Sequence, residues 1–117
     1  MRLSSKVTGK LKHYVYLYVD PRDESVFYVG KGIGERCLAH LKEGGESEKA
    51  KRIAAIHDSN LKPHIDILVH GLATSEVALQ VEAAVIDLLG REKLTNQVRG
   101  WNSELFGRME LEQFVSL

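Results

Sequence analysis

The chain has 117 residues, of which 44% are apolar, and its formal net charge at pH 7 is zero. This length suits a single domain with one hydrophobic core, preceded by a polar leader over residues 1–12. The single cysteine, Cys37, leaves no partner for an internal disulfide or a cysteine-based zinc cluster. In the absence of about 20 consecutive apolar residues or a charged-then-apolar leader, we expect neither a membrane span nor a cleaved signal. The expected location is the cytoplasm or, in a eukaryote, the nucleus.

The charges are unevenly distributed along the chain. Residues 1–62 contain 12 Lys/Arg and 8 Asp/Glu, a net charge of +4, whereas residues 63–117 contain 4 and 8, a net charge of −4. A zero net charge argues against a general nucleic-acid binder, yet this asymmetry would allow one half of the chain to face phosphates. An uneven but merely solvated surface gives the same pattern, so charge alone does not decide.

The hydrophobic pattern predicts a domain that combines helices and strands (α/β in the broad sense, α+β in type). Its sheet is three-stranded and mainly antiparallel, and helices flank it. Segment 13–20 alternates aliphatic side chains with three tyrosines, and residues 20–25 have the composition of a turn, so the first two strands form a hairpin. The aliphatic side chains of the third strand, Ile65, Ile67 and Val69, are expected to face the core. The predicted strands cover residues 13–20, 26–30 and 64–70.

Helical periodicity and capping residues predict three helices and a weakly helical tail over residues 104–114. The helices cover residues 35–42, 48–57 and 75–89, the last of them capped by Thr74 or Ser75 and stopped by Gly90. The second helix is expected to bury Ala50, Ile53, Ala54 and His57 and to expose Lys49, Lys51 and Arg52.

Glu82 is a charged residue on the apolar face of the third predicted helix. At 100° per residue it lies inside the apolar arc, whereas the other polar residues of that helix lie together on the far side. A carboxylate among apolar residues needs a cation, a metal ion or hydrogen-bond donors, because unpaired burial is costly. A glutamate at the edge of the arc, reaching solvent or an arginine, is the alternative.

Two short strand motifs, Tyr14-Val15-Tyr16 and Tyr28-Val29-Gly30, resemble those that name the GIY-YIG endonuclease superfamily. The resemblance covers nearly the whole chain and is closest to the branch that contains the animal ankyrin-repeat and LEM-domain nucleases. Tyr14 stands where the superfamily name has glycine, and valine replaces isoleucine in both motifs. The further residues that carry the resemblance follow in order: Lys31, Arg36, His40, Glu82 and Asn96.

The resemblance implies a DNA endonuclease that depends on one Mg²⁺ or Mn²⁺ ion held by Glu82. It implies that Arg36 pairs with the scissile phosphate and that Tyr28 positions phosphate or water. Tyr16 is the first candidate for the general base and His40 the second. It also implies that Lys31 positions phosphate or water and that Asn96 holds the metal-site geometry or the substrate; with Tyr14 they form the substrate-binding set.

Zero net charge and the absence of a targeting module within the sequence favour branched, flapped or otherwise distorted DNA as substrate. A homodimer or a partner protein is left open. One alternative is a catalytically silent domain of the same fold that binds DNA or protein. The other is a nucleotide-binding module in which the loop Gly30–Gly34 cradles phosphate between a strand and a helix.

Overall fold

The computed structural model of the chain describes residues 1–96 and 108–116. Its sheet has three strands in the order β2-β1-β3, and both strand pairs are antiparallel. The strands are β1 (His13–Asp20), β2 (Ser25–Gly32) and β3 (His64–Leu72). The predicted architecture is confirmed, and β1 matches its predicted limits.

Helices cover both faces of the sheet. The α-helices are α1 (Ser5–Leu11), α2 (Glu48–Asp58), α3 (Ser75–Leu89) and α4 (Leu111–Val115), and short 3₁₀ turns occupy Arg36–Leu38 and Arg91–Lys93. Residues 104–107 of the predicted helical tail lie outside the described residues. In the described part of the chain, none of the helices has the combined length and hydrophobicity that a membrane span requires.

The central strand β1 is buried on both faces, so the chain has two apolar clusters. On one face, Tyr14, Tyr16 and Tyr18 pack against side chains of β2, the 3₁₀ turn and α2; we call this the tyrosine cluster. On the other face, Val15 packs against β2 and against Ala78 and Ile86 of α3. The tyrosines are therefore core residues as well as candidates for chemistry.

The N-terminal leader is more structured than the sequence indicated. Ser4 caps α1 by accepting a hydrogen bond from the amide of Val7, and Leu3 and Leu11 pack against the tyrosine cluster. Valine, threonine and glycine inside this helix are weak helix formers, so the helix depends on its cap and on packing.

The predicted helix over residues 35–42 is wrong, because only the 3₁₀ turn Arg36–Leu38 forms there. The hydroxyl of Tyr14 accepts a hydrogen bond from the amide of Cys37, and the hydroxyl of Tyr18 donates one to the Cys37 carbonyl. Both backbone groups of Cys37 are thus bonded to side chains of β1. An α-helix would need the same carbonyl for its own ladder.

The inner faces of α2 and β3 also differ from prediction. In α2 the buried residues are Ala50, Ile53 and Ile56, while Ala54 and His57 are exposed, because the larger Ile56 fills the core. In β3 the pairing with β1 shifts at residue 68, so Ile65 packs on the tyrosine cluster and Val69 on the opposite face. Ile67, predicted to be inside, remains 38% exposed.

Candidate active site

The segment that follows β2 forms one wall of the candidate site, and Tyr14 fixes its path. The Tyr14 hydroxyl donates a hydrogen bond to the carbonyl of Gly34 (2.8 Å) and accepts one from the amide of Cys37 (3.0 Å). These bonds bracket Arg36, whose side chain lies over Gly32 in the space that a Cβ there would occupy. The glycine after Lys31 therefore makes room for the arginine.

An open pocket of about 420 Å³ lies between this wall, the hairpin and α3. Five of the predicted site residues share it although they come from different elements, as the fold requires. Ile33, which is 59% exposed, adds an apolar side chain to the lining. The lining residues are Tyr16, Tyr28, Lys31, Gly32, Ile33, Arg36 and Glu82.

Glu82 is half-buried on the face of α3 that packs against the sheet, where Ala78, Ala83 and Ile86 are buried. It lies nearer the middle of the buried face than the sequence indicated, because Val77 and Leu88 turn outward. Burial raises the pKa of Glu82, and the charge of Lys31 opposes that shift. Within residues 1–96 and 108–116, Glu82 makes no hydrogen bond or ion pair.

Lys31 approaches the pocket from β2 and is held at the start of α3. Its ammonium group donates a hydrogen bond to the hydroxyl of Ser75 at 3.2 Å. Because this hydroxyl is neutral, the lysine keeps its full charge for an anion in the pocket. The site thus places two cations, Lys31 and Arg36, around one half-buried carboxylate.

The two motif tyrosines meet at the floor of the pocket. The rings of Tyr16 and Tyr28 lie 6.2 Å apart and tilted at 47°, and Tyr16 is only 1% exposed. Burial raises the pKa of Tyr16 well above its ordinary value, and Tyr28 and Tyr18 add to this effect while Arg36 opposes it. Burial, followed by the charge of Glu82, also raises the pKa of Tyr28. Both phenols are neutral at pH 7 unless a bound cation changes this.

His40 lies behind Tyr28 and does not line the pocket. Its ring meets the Tyr28 ring edge-on at 5.6 Å, and its Nδ1 lies 2.9 Å from the Glu43 carboxylate. Its Nε2 is buried with no hydrogen-bond partner among the described residues. Because a carboxylate can only accept, Nδ1 is the donor in the contact with Glu43.

Lys49, expected to be exposed, is half-buried, with its ammonium 4.6 Å above the centre of the Tyr28 ring. Desolvation lowers the pKa of Lys49. This cation–π contact brings a third positive charge close to the pocket. The signal that the sequence offered is its position four residues before the buried Ile53, on the inner side of α2.

Arg52, also expected to be exposed, stacks over Phe27 at 5.3 Å and bonds the buried Asp20 carboxylate. Asp20 is 1% exposed and accepts further hydrogen bonds from the amide and guanidinium of Arg22. This network holds the hairpin turn to α2. The network explains why Asp20, which the sequence pattern placed in the turn, can be buried although it is charged.

Two predicted substrate-binding residues lie away from the pocket. Tyr14 has no exposed surface, and its hydroxyl is occupied by the two bonds described above, which does not fit a direct substrate contact. Asn96 runs along the outer edge of β2, where its amide accepts from the Val29 N–H (3.1 Å) and donates to the Val29 carbonyl (2.8 Å). Asn96 and His40 therefore do not line this pocket together with the other predicted site residues.

The residues of the pocket fit a divalent cation held by a single protein ligand. No group of three His, Cys, Asp or Glu residues in the described part of the chain could hold a metal ion. Among the residues that line this pocket, Glu82 is the one carboxylate, and it has no hydrogen bond or ion pair within the described part of the chain. Mg²⁺ is commonly bound by one or two carboxylates, with waters and phosphate oxygens completing its octahedron.

Comparison with known proteins adds one match. Residues 13–115 match the family model described as the LEM-3-like GIY-YIG domain. No curated protein and no solved structure matches the chain. The match takes in the hairpin, the loop that carries Arg36 and the helix that carries Glu82. The chain therefore belongs to the LEM-3-like family of GIY-YIG domains, which are nucleases in general.

Proposed function

We propose that this protein is a divalent-metal-dependent DNA endonuclease that prefers branched, flapped or distorted DNA. The observation that carries the proposal is the shared pocket, in which the half-buried Glu82 carboxylate has no partner among the described residues and opens beside Lys31 and Arg36. A binding module would have no use for such a carboxylate, whose desolvation is costly.

The pocket supports a division of roles in phosphodiester hydrolysis. The Arg36 guanidinium would bind the non-bridging oxygens of the scissile phosphate, as its planar fork suits, with Lys31 as a second point charge. Glu82 would hold the Mg²⁺ or Mn²⁺ ion, whose charge stabilises the phosphate oxygens in the transition state. Tyr28, between the pocket and His40, would orient the phosphate or the attacking water.

The geometry favours Tyr16 over His40 as the residue that takes the proton from the nucleophile. Tyr16 lines the pocket, whereas His40 faces the back of Tyr28 and Glu43. Burial raises the pKa of Tyr16, so the nearby cations must lower it when substrate is bound. His40 then acts through Tyr28, as a positioning residue.

Selection by DNA shape is supported by the surface of the pocket. Its cations are few, and Ile33 exposes an apolar side chain at its rim. An exposed aliphatic side chain beside phosphate-binding residues favours an unstacked base or a strand end over a continuous duplex. Plain duplex DNA should therefore bind weakly.

The nucleotide-binding alternative loses its main argument. The predicted loop Gly30–Gly34 is not a free loop, because Gly30–Gly32 belongs to β2 and pairs with β1, and the chain then leads only into the three-residue turn Arg36–Leu38. A phosphate cradle needs the amide groups and dipole at the start of a longer helix. The catalytically silent domain remains the alternative that experiment must separate.

Cleavage of labelled single-stranded, duplex, flap and four-way-junction DNA with and without Mg²⁺ or Mn²⁺ tests the proposal. We expect metal-dependent cutting of the branched substrates that is abolished by Arg36→Ala and by Glu82→Ala in folded protein. Arg91→Ala, which removes an exposed arginine outside this pocket, is the matched control. Metal-independent binding without any cutting would support the silent module.

A further inference from the structure

The N-terminal segment carries an unopposed positive charge. Residues 1–12 contain four basic residues and no acidic residue, and all four basic side chains are exposed. Within the described part of the chain, their only ion pair is a long one of 4.0 Å between Arg2 and Glu35. The basic residues are Arg2, Lys6, Lys10 and Lys12. We call this set, with α1 that carries it, the basic helix surface.

The basic helix surface is fixed to the domain rather than attached as a loose arm. Leu3 and Leu11 pack against the tyrosine cluster, and the amide of Leu3 donates a hydrogen bond to the Glu35 carboxylate at 3.2 Å. The family match begins at residue 13, so this surface lies outside the part of the chain that the family model covers.

Its position beside the active-site pocket follows from the register of the sheet. Tyr14, two residues after Lys12, pairs with Gly32, which lines the pocket. Glu35, which holds the amide of Leu3, directly precedes Arg36. The segment that leads into α1 therefore contacts the loop that carries Arg36, and α1 ends at the same end of the sheet as the pocket.

The arrangement of charge in α1 calls for an anion. Lys6 and Lys10 are spaced i, i+4, so they project from neighbouring turns of one face, where like charges destabilise a helix. No acidic residue of α1 relieves this repulsion. A polyanion with regularly spaced charges would neutralise both lysines together, and a nucleic-acid backbone is such a polyanion.

We infer that the basic helix surface is an accessory phosphate-binding surface that holds the DNA backbone next to the scissile phosphate. This inference rests on the proposed nuclease function, since it takes DNA as the ligand. It adds phosphate contacts to those of Lys31 and Arg36 at the same end of the sheet. Its effect is on affinity, because none of its residues lines the pocket.

The test measures binding of the full chain to a fluorescent flap DNA by anisotropy, with EDTA present so that cleavage does not interfere. The α1 variant is the double charge reversal Lys6→Glu/Lys10→Glu. The control is the double variant Lys62→Glu/Lys93→Glu, which makes the same charge change at other exposed lysines. Lys62 lies near His64, which pairs with Val19 at the opposite end of the sheet from the pocket. If the charge reversal in α1 prevents folding, the neutral double variant Lys6→Gln/Lys10→Gln replaces it in this comparison.

We expect the α1 variant to bind about tenfold more weakly than the control variant and the wild type. Each phosphate contact contributes about −0.9 to the slope of log K against log salt, so losing two makes the slope shallower by about 1.8. Equal weakening in both variants, or an unchanged salt slope, would overturn the inference. A wild type that binds through α1 but never cuts would refute the proposed function alone, whereas cutting without α1 dependence would refute this inference alone.

Discussion

The phenol ring of Tyr16 lies across Gly30, its partner on the neighbouring strand, so closely that a Cβ on residue 30 would overlap the hydroxyl end of the ring. The glycine of the second strand motif therefore gives the tyrosine of the first motif its path to the pocket. The two motifs depend on each other sterically, whatever chemistry each supplies.

Gly30→Ala should consequently damage both the core and the site. Overpacking of a buried position costs about 1–3 kcal/mol, so the free energy of unfolding should fall by that amount. Cleavage should fall at least tenfold, because the displaced ring no longer reaches its place. Chemical denaturation and single-turnover cleavage measure the two effects.

Gly9→Ala is the matched control for that substitution. Gly9 lies within α1, and a Cβ there would meet nothing within 4 Å. Alanine is favoured over glycine inside a helix by roughly 0.5–1 kcal/mol, so this variant should be neutral or slightly stabilised. If Gly30→Ala behaves like Gly9→Ala, the proposed dependence of Tyr16 on Gly30 is wrong.

Tyr16→Phe and His40→Ala should separate the two candidates for the general base. Loss of a general base costs about 10²- to 10⁴-fold in rate, and we expect that loss for Tyr16→Phe and a smaller one for His40→Ala. Because burial raises the pKa of Tyr16, the wild-type rate should keep rising with pH into the alkaline range. A plateau from about pH 7 and a larger effect of His40→Ala would instead assign the proton transfer to an imidazole.

Strand β1 and helix α3 could be predicted from the sequence because each follows one period, whereas α1 was missed because weak helix formers fill it. The alternation in β1 and the Thr74 cap with Gly90 after α3 set limits that the structure confirms. The segment after β2 could not be predicted in this way. Its backbone hydrogen bonds go to tyrosine hydroxyls some 20 residues earlier in the chain, which no local pattern reveals.

Part of the candidate site was also predictable, because the strand motifs and the helical periodicity are local patterns. The pocket contains the five residues that the motifs and the helical arc singled out: Tyr16, Tyr28, Lys31, Arg36 and Glu82. The position of Asn96 could not be predicted, because its side-chain amide bonds the backbone of Val29 at the edge of β2 as a neighbouring strand would. These two residues are 67 apart in the sequence. Lys49 was missed because its spacing to Ile53 places it at the inner side of α2 but does not reveal the Tyr28 ring that it contacts there.

Glu82→Gln should leave the metal-free protein at least as stable as the wild type. Burial raises the pKa of Glu82, which means that the ionised form is disfavoured in the folded chain. Replacing it by a neutral isostere should raise the free energy of unfolding by about 1 kcal/mol or less in EDTA. Mg²⁺ or Mn²⁺ should raise the melting temperature of the wild type but not of this variant.

Glu76→Gln tests whether that result is specific to the pocket. Glu76 is exposed in the first turn of the same helix, where a carboxylate is favoured by the helix dipole. This control should keep the metal-dependent rise in melting temperature. A large loss of stability for Glu82→Gln in EDTA would mean that the carboxylate serves the fold and not the metal.

Asp20→Asn should destabilise the hairpin turn at neutral pH and flatten the acid response of the protein. Hydrogen bonds from Arg22, and then from Arg52, hold the pKa of Asp20 well below its usual value of about 3.9. Since the folded-state pKa is the lower one, the carboxylate stabilises the fold above about pH 4, and this contribution is lost as the pH falls through the folded-state pKa. Weakening charge-assisted hydrogen bonds should cost about 2 kcal/mol at pH 7, measured by urea denaturation.

Between pH 4 and pH 2 the wild type should lose stability more steeply than the Asp20→Asn variant, while the exposed Asp66→Asn should follow the wild type. Parallel stability curves for Asp20→Asn and the wild type over that range would show that the network does not bind the carboxylate in its charged form.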